Sequence, residues 1–220
     1  FLVLFGDASW DFKLKSWLAR FENYVPSYGY PASDNWFVCL DGENDFLPDM
    51  YIGRIPVATE KQAENYIKKV MEYESSEFDS WNKNILMING GFNSYEQSLF
   101  QEGSQYIVNN ITSPPPSGMN NIVINKTTTD LIDYTHRDEI INLIDKGVLW
   151  VSSAGHAAAQ KYDVDFGRPS DLNNYKKYPF MAGMSCNTAK FANPSVFSLG
   201  EDYLLIEDKG AIGYFGTSGW

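Results

Sequence analysis

The feature that most constrains this chain is a set of short apolar runs, each too brief for a helix and each stopping at small or polar residues. Ile85-Leu-Met-Ile88, Ile122-Val-Ile124, Val148-Leu-Trp-Val151, Phe180-Met-Ala-Gly-Met184 and Ala211-Ile-Gly-Tyr-Phe215 are of this kind. Runs of that length without polar alternation fit strands covered on both faces, and such strands belong to parallel sheets. Segments with helical spacing lie between them. Thr59 is a good N-cap, and Ala63, Tyr66, Ile67, Val70, Met71 and Tyr73 mark one apolar stripe, which predicts a core-facing helix over 60–74. Further helices are predicted over 95–111, closed by Ser113-Pro-Pro-Pro-Ser-Gly118, and over 195–208. Another follows Thr135-His-Arg-Asp138, which resembles a capping box, and ends at Gly147. The alternation predicts an α/β domain with a mainly parallel sheet covered by helices on both faces. Residues 1–5, 36–40 and 51–57 are read as further strands, and 12–35 as largely irregular.

Two of the runs end in chemistry. One stops at Ser185-Cys186, followed by the turn-like stretch from Asn187 to Pro194; another runs through Ser152-Ser-Ala-Gly-His156. In open α/β sheets the carboxyl ends of strands are where ligands bind. A thiol beside an imidazole is the arrangement nucleophilic thiol chemistry needs, because the thiolate reacts and the imidazole takes its proton. Taken singly, a lone Cys reads as a small buried hydrophobe and a lone His as structural. The two strand-end placements together weigh toward catalysis. The run ending at Ile88 continues into Asn89-Gly-Gly91, which puts Asn89 at the same edge, with glycines that permit close backbone approach. His136 is read as a first-turn surface residue and Cys39 as an inert core thiol. The polar connection 157–178 leaves from the active edge carrying Tyr162, Asp163, Asp165, Arg168 and Asp171, and loops of such length are usually functional or disordered.

Composition narrows the partners. A net charge of −11 and a pI near 4.6 argue against nucleic acid, which needs basic patches. No apolar run approaches a membrane span, and two cysteines make no disulfide framework. With 220 residues and 44% hydrophobic content, the default is one domain over 1–220. The strand-like first and last residues read as parts of a longer protein. Asp7, Asp11 and the loop Asp41-Gly-Glu-Asn-Asp45 with Asp49 concentrate carboxylates near strand ends. They are read either as loop caps on a solvated turn or as ligands for a cation such as calcium, which takes several oxygens.

Several stretches also resemble one family. Val151-Ser-Ser-Ala-Gly-His156, Pro179-Phe-Met-Ala-Gly-Met-Ser-Cys186 with Phe191 and Pro194, Ser198-Leu-Gly-Glu-Asp-Tyr-Leu-Leu205 and Lys209-Gly-Ala-Ile-Gly-Tyr-Phe-Gly-Thr217 are similar to the gingipain family of cysteine peptidases, peptidase family C25. Leu40-Asp-Gly42, Asp49-Met-Tyr-Ile-Gly-Arg-Ile-Pro-Val57 and Ile88-Asn-Gly-Gly91 fit it in the same order. The resemblance implies a caspase-like three-layer sandwich and a cysteine endopeptidase with Cys186 as nucleophile and His156 as base and later acid. It implies oxyanion donors at the N–H groups of Ala157 and Cys186, with Asn89 as the group that orients the imidazole. The family usually has glycine where Ala157 stands and an acid where Asn89 stands. Glu96 is the one acid in the stretch 92–100, the segment in which arginine-directed members carry a specificity residue.

The family includes the cell-surface sortase of the type IX secretion system. The resemblance therefore extends to cleavage of C-terminal signals with transfer to a surface acceptor, to polypeptide substrates, and to secretion-system or outer-membrane partners at an extracellular or cell-surface location. No cofactor is required, and structural calcium is an expectation of the family. A catalytically inactive relative serving as a binding module is the alternative, favoured by Ala157 and Asn89. An unrelated α/β domain that binds calcium through its acidic loops also stays open.

Overall fold

The computed structural model describes residues 1–17, 23–42 and 44–220. The centre of the irregular segment 12–35 and position 43 of the acidic loop lie outside the described residues.

Strand β1 (Leu2–Phe5) pairs in parallel with β2 (Ile52–Ile55) as a separate two-stranded sheet. The chain continues through α1 (Glu60–Glu74), β3 (Asn84–Asn89), α2 (Ser94–Ile107), β4 (Asn120–Asn125) and α3 (Arg137–Lys146). It then forms β5 (Trp150–Ala154) and a small hairpin of β6 (Ala157–Ala158) and β7 (Lys161–Tyr162). The last elements are β8 (Phe180–Met184), α4 (Leu199–Leu205) and β9 (Gly213–Gly216). The main sheet has the order β4-β3-β5-β8-β9, and every neighbouring pair in it is parallel.

Alternation along β3 explains the layers. Leu86 and Ile88 join the core with Ile140 and Ile144 of α3 and Leu199 and Tyr203 of α4. Ile85, Met87 and Asn89 turn to the other face, where Ser104 of α2 meets Asn89. Helices therefore cover both faces. Among the described residues no helix is long and apolar enough to cross a membrane.

Several local expectations are corrected. Residues 36–40 are not a strand: Asn35–Val38 is a 3-10 turn, started by a Phe37 N–H bond to the Asp34 carbonyl, so the apolar residues there reflect ring packing of Trp36 on Tyr28 and Phe37. Strand β1 exists, but Val3 and Phe5 are exposed and Leu4 alone is buried, because this sheet has just one covered face. Helix α1 has the predicted span and a Thr59 to Gln62 capping box, yet its buried stripe is rotated. Ala63 and Tyr66 pack inward, whereas Ile67 and Met71 are exposed. Lys69, 1% exposed, lies on the inner side and donates to the carbonyls of Tyr203, Leu204 and Ala211. It thereby bonds carbonyls in the last turn of α4 and ties them to the segment before β9. Burial pulls its amine down to about 7. At α3, His136 occupies the N-cap without a capping bond and its ring meets Glu139, so the Thr135 box does not form.

The acids resolve into loop caps and one buried pair. Asp11 accepts the N–H groups of Lys15 and Ser16, Asp45 those of Asp41 and Leu47, and Asp49 that of Leu40. Among the described residues no group of three or more His, Cys, Asp or Glu side chains gathers as a candidate metal site. Asp7 is fully buried, with one oxygen on the Ala8 N–H, and burial pushes its carboxyl up to about 7. Glu201 is raised by burial first and by the neighbouring Asp7 second.

A raised carboxyl makes the folded state bind more protons than the unfolded chain between about pH 4 and 7, so stability falls as pH rises through that window. Asp7→Asn keeps an acceptor for Ala8. It is expected to melt with the parent protein near pH 4 and several degrees above it at pH 8, each tenfold change in the proton affinity of the carboxyl being worth about 1.4 kcal/mol. Calorimetric scans across this range check it; a gap independent of pH would contradict the buried carboxylate as its cause.

Candidate active site

His156 follows β5 by two residues and Cys186 follows β8 by two, and the register pairs Ala154 with Met184. Parallel neighbours in that register bring both side chains to one edge, one strand apart. Both line a cavity of about 370 Å³. Gly183 is required on the way: a Cβ there would collide with the hydroxyls of Tyr162, Tyr214 and Thr188, and the two tyrosine hydroxyls bond each other beneath it. Asn187 takes a left-handed φ of 60°, which turns the chain sharply after the half-buried thiol. Bonds from Asn187 N–H to Gly219 and from the Thr217 hydroxyl to the Ser185 carbonyl hold that turn.

The imidazole is gripped on two sides. Its Nε2 lies 2.9 Å from Glu96 Oε2, and the Phe92 ring stacks on it at 4.0 Å between centroids, 5° from parallel. Glu96 stands in the first turn of α2, which Asn93 caps, and the same carboxylate accepts the Phe92 N–H. The Phe92 N–H first and the His156 ring second hold the Glu96 carboxyl below its ordinary range.

Asn89 is therefore not the group on the imidazole in this structure. It is 1% exposed, accepts the Ser104 hydroxyl and donates to the Asn125 side chain, tying β3 to α2 and β4. Strand alternation aims it at the α2 face. The chain must leave the strand through Gly90 and Gly91 before the first turn of α2 can bring a carboxylate back over the edge.

Sequence reading also did not single out Asp163 as the organiser of this edge. Its carboxylate accepts the Gly91 N–H at 2.7 Å and sits 3.5 Å from Lys126 Nζ, and both side chains are buried. A Cβ at Gly90 would strike that carboxylate, and one at Gly155 would come within 2.7 Å of it. The glycines after β3 and β5 are thus the sequence trace of a buried acid between them. Lys126 Nζ also lies 5.0 Å from the Phe92 ring centre, on the ring that stacks with His156.

Two backbone N–H groups adjoin the pair, that of Ala157 after the histidine and that of Cys186 itself. The bond from Asp163 N–H to His156 O makes that pair hydrogen-bonded, so the next pair, Ala157 with Tyr162, is the non-bonded kind whose N–H groups point away from the partner strand. Ala157 lies in a strand with extended backbone, a conformation open to alanine. The Cys186 N–H has no partner among the described residues. The other histidine and the other cysteine lie elsewhere: His136 stands at the N-cap position of α3, and Cys39 receives the Asn35 amide. Burial first, then the Asp45 and Asp49 carboxylates, push the Cys39 thiol up.

Comparison with known proteins bears on the family and the fold. The profile of peptidase family C25 matches residues 1–220. Lys-gingipain HG66 of Porphyromonas gingivalis is 24% identical over 192 residues, covering 85% of this chain and 10% of that protein. Lys-gingipain W83 of the same organism is 25% identical over 207 residues with the same coverage. The chain thus spans about a tenth of the length of these relatives. Among solved structures, one described as a protease superposes with TM-score 0.71 at 22% identity, over 99% of this chain and 44% of that one. The crystal structure of the Arg specific cysteine proteinase gingipain R superposes with TM-score 0.68 at 18% identity, over 99% and 48%.

The clasp under the edge generates a stability test. Asp163→Ala strands the Lys126 ammonium in the interior and is expected to destabilise by roughly 3–5 kcal/mol in denaturant unfolding. Asp163→Asn retains an acceptor for Gly91 and should fall between. Equal stability of all three proteins would remove the ion pair from the account.

Proposed function

Because the chain belongs to peptidase family C25, a family of cysteine peptidases, we propose that Cys186 is the nucleophile of a peptide-bond-cleaving site with His156 as its base and Glu96 as the residue that positions the ring. The observation that carries the reading is that Cys186 and His156 line one cavity, with a carboxylate already on Nε2 of the imidazole. If Nε2 donates its proton to Glu96, Nδ1 keeps the lone pair that can accept a thiol proton. The thiolate then attacks the carbonyl carbon, and the N–H groups of Ala157 and Cys186 are the donors for the oxygen that becomes negative. Collapse of that adduct breaks the C–N bond, the leaving amine takes the proton from His156, and a thioester remains. Water, deprotonated by the same imidazole, releases the acid. Nucleophile, base and donors all come from this chain, so the scheme needs no cofactor.

Transfer of the acyl group to an amine instead of water would use the same thioester. A sortase role at the cell surface, with partners of a secretion system, is the finer form of this proposal. An active site is favoured over an inactive binding module because an acid is present on the imidazole and because alanine at 157 fits its strand.

Fluorogenic peptides and a thiol-directed peptide probe test the reading on the full chain. Cys186→Ala is expected to abolish turnover, and Glu96→Gln to lower kcat by on the order of 10²–10⁴ with KM little changed, as for loss of a carboxylate behind a catalytic imidazole. Asn89→Ala should lower thermal stability and leave kcat within a few-fold. Alkylation of Cys186 at pH 7 should be faster than that of Cys39 and should slow in His156→Ala. Persistence of turnover in Cys186→Ala, or equal alkylation of both thiols, would refute the assignment.

A further inference from the structure

The names of the relatives carry lysine and arginine, and a pocket for those side chains needs a carboxylate free to meet a cation. The cavity at Cys186 offers none. Its apolar walls include Phe92, Leu131, Ile132, Ala158, Trp220 and the ring of Tyr162, and the ionisable side chains that line it among the described residues, besides the Cys186 thiol, are His156, Lys161 and Asp163. Each already has an ionisable partner within reach. His156 faces Glu96, Lys161 is 2.8 Å from Asp165, and Asp163 faces Lys126 and the Gly91 N–H. Asp165 also binds Arg137, so it cannot turn to a newcomer without abandoning two cations.

We infer, on the peptidase reading above, that this cavity selects a substrate with an uncharged apolar side chain at the residue before the scissile bond. A lysine or arginine placed there would lose its hydration and find Asp163 occupied, with Lys126 behind it and Lys161 at the wall. A substrate carboxylate would face the same difficulty at Lys161, whose charge Asp165 balances. An apolar side chain loses nothing on entry and covers the exposed Leu131 and Ala158. At about 370 Å³ the cavity is within the usual range of small-ligand sites, roughly 300–1,000 Å³, which leaves room for one such side chain and its flanking backbone.

The test uses peptides identical except for leucine, methionine, phenylalanine, lysine, arginine or glutamate at that residue. Binding is measured by calorimetry to the full-chain Cys186→Ala protein and turnover with the unaltered protein. Leucine, methionine or phenylalanine should bind at least roughly tenfold tighter than the charged peptides. Leu131→Glu places an unpaired carboxylate on the exposed wall and should raise affinity for the lysine and arginine peptides by a similar factor. Lysine or arginine binding as tightly as the apolar peptides in the Leu131 parent, or no peptide binding at all, overturns the inference. Turnover that survives Cys186→Ala would refute the nucleophile while the binding order still judges the pocket, so the two failures are distinguishable.

Discussion

The hydrogen-bonded register between β5 and β8 is the constraint from which the site follows. With Ala154 opposite Met184, two residues of further chain on each strand bring an imidazole and a thiol to the same edge. A slip of one residue would send every side chain on one strand to the other face. That register is fixed by burial: Val151 and Met181 must both enter the core, and Gly183 must lie against the tyrosine hydroxyls. The reactive pair is thus positioned by the apolar residues behind it.

Charge in the interior is the second organising element. Lys69 reaches from α1 to two carbonyls in the last turn of α4 and to that of Ala211 beyond it, and Lys126 with Asp163 joins the segments that follow β4, β3 and β5. A buried pair of this kind is weak evidence for stability, because desolvation opposes the attraction. What it provides here is position. The Asp163 carboxylate takes the Gly91 N–H, which places Phe92 against the His156 ring, and Glu96 follows one helical turn later.

The acid on the imidazole shows how far sequence reading reaches. Asn89 is the natural choice because it ends a strand at the right edge, but a strand-end residue still obeys alternation, and its side chain belongs to the α2 face. Glu96 lies seven residues on, inside a helix, with nothing in its neighbourhood of the sequence to connect it to His156. Two glycines and an N-cap at Asn93 decide where its carboxylate arrives. The same limit applies to α1, where spacing gives the helix and leaves open which stripe is buried, so that a lysine inside and a methionine outside could not be foreseen.

The sequence by itself determined the class of fold, the parallel sheet and its covered faces, and the two strand ends that carry His156 and Cys186, because these depend on the length and polarity of local segments. It also carried the family in motifs distributed along the chain. Only the tertiary structure decided which acid meets the imidazole, that Asp163 and Lys126 neutralise each other beneath the edge, and that the cavity beside the thiol has no unpaired carboxylate among the described residues. Those are facts about groups distant in sequence, and each was settled by packing geometry and the need to balance buried charge, neither of which is written in any single stretch of residues.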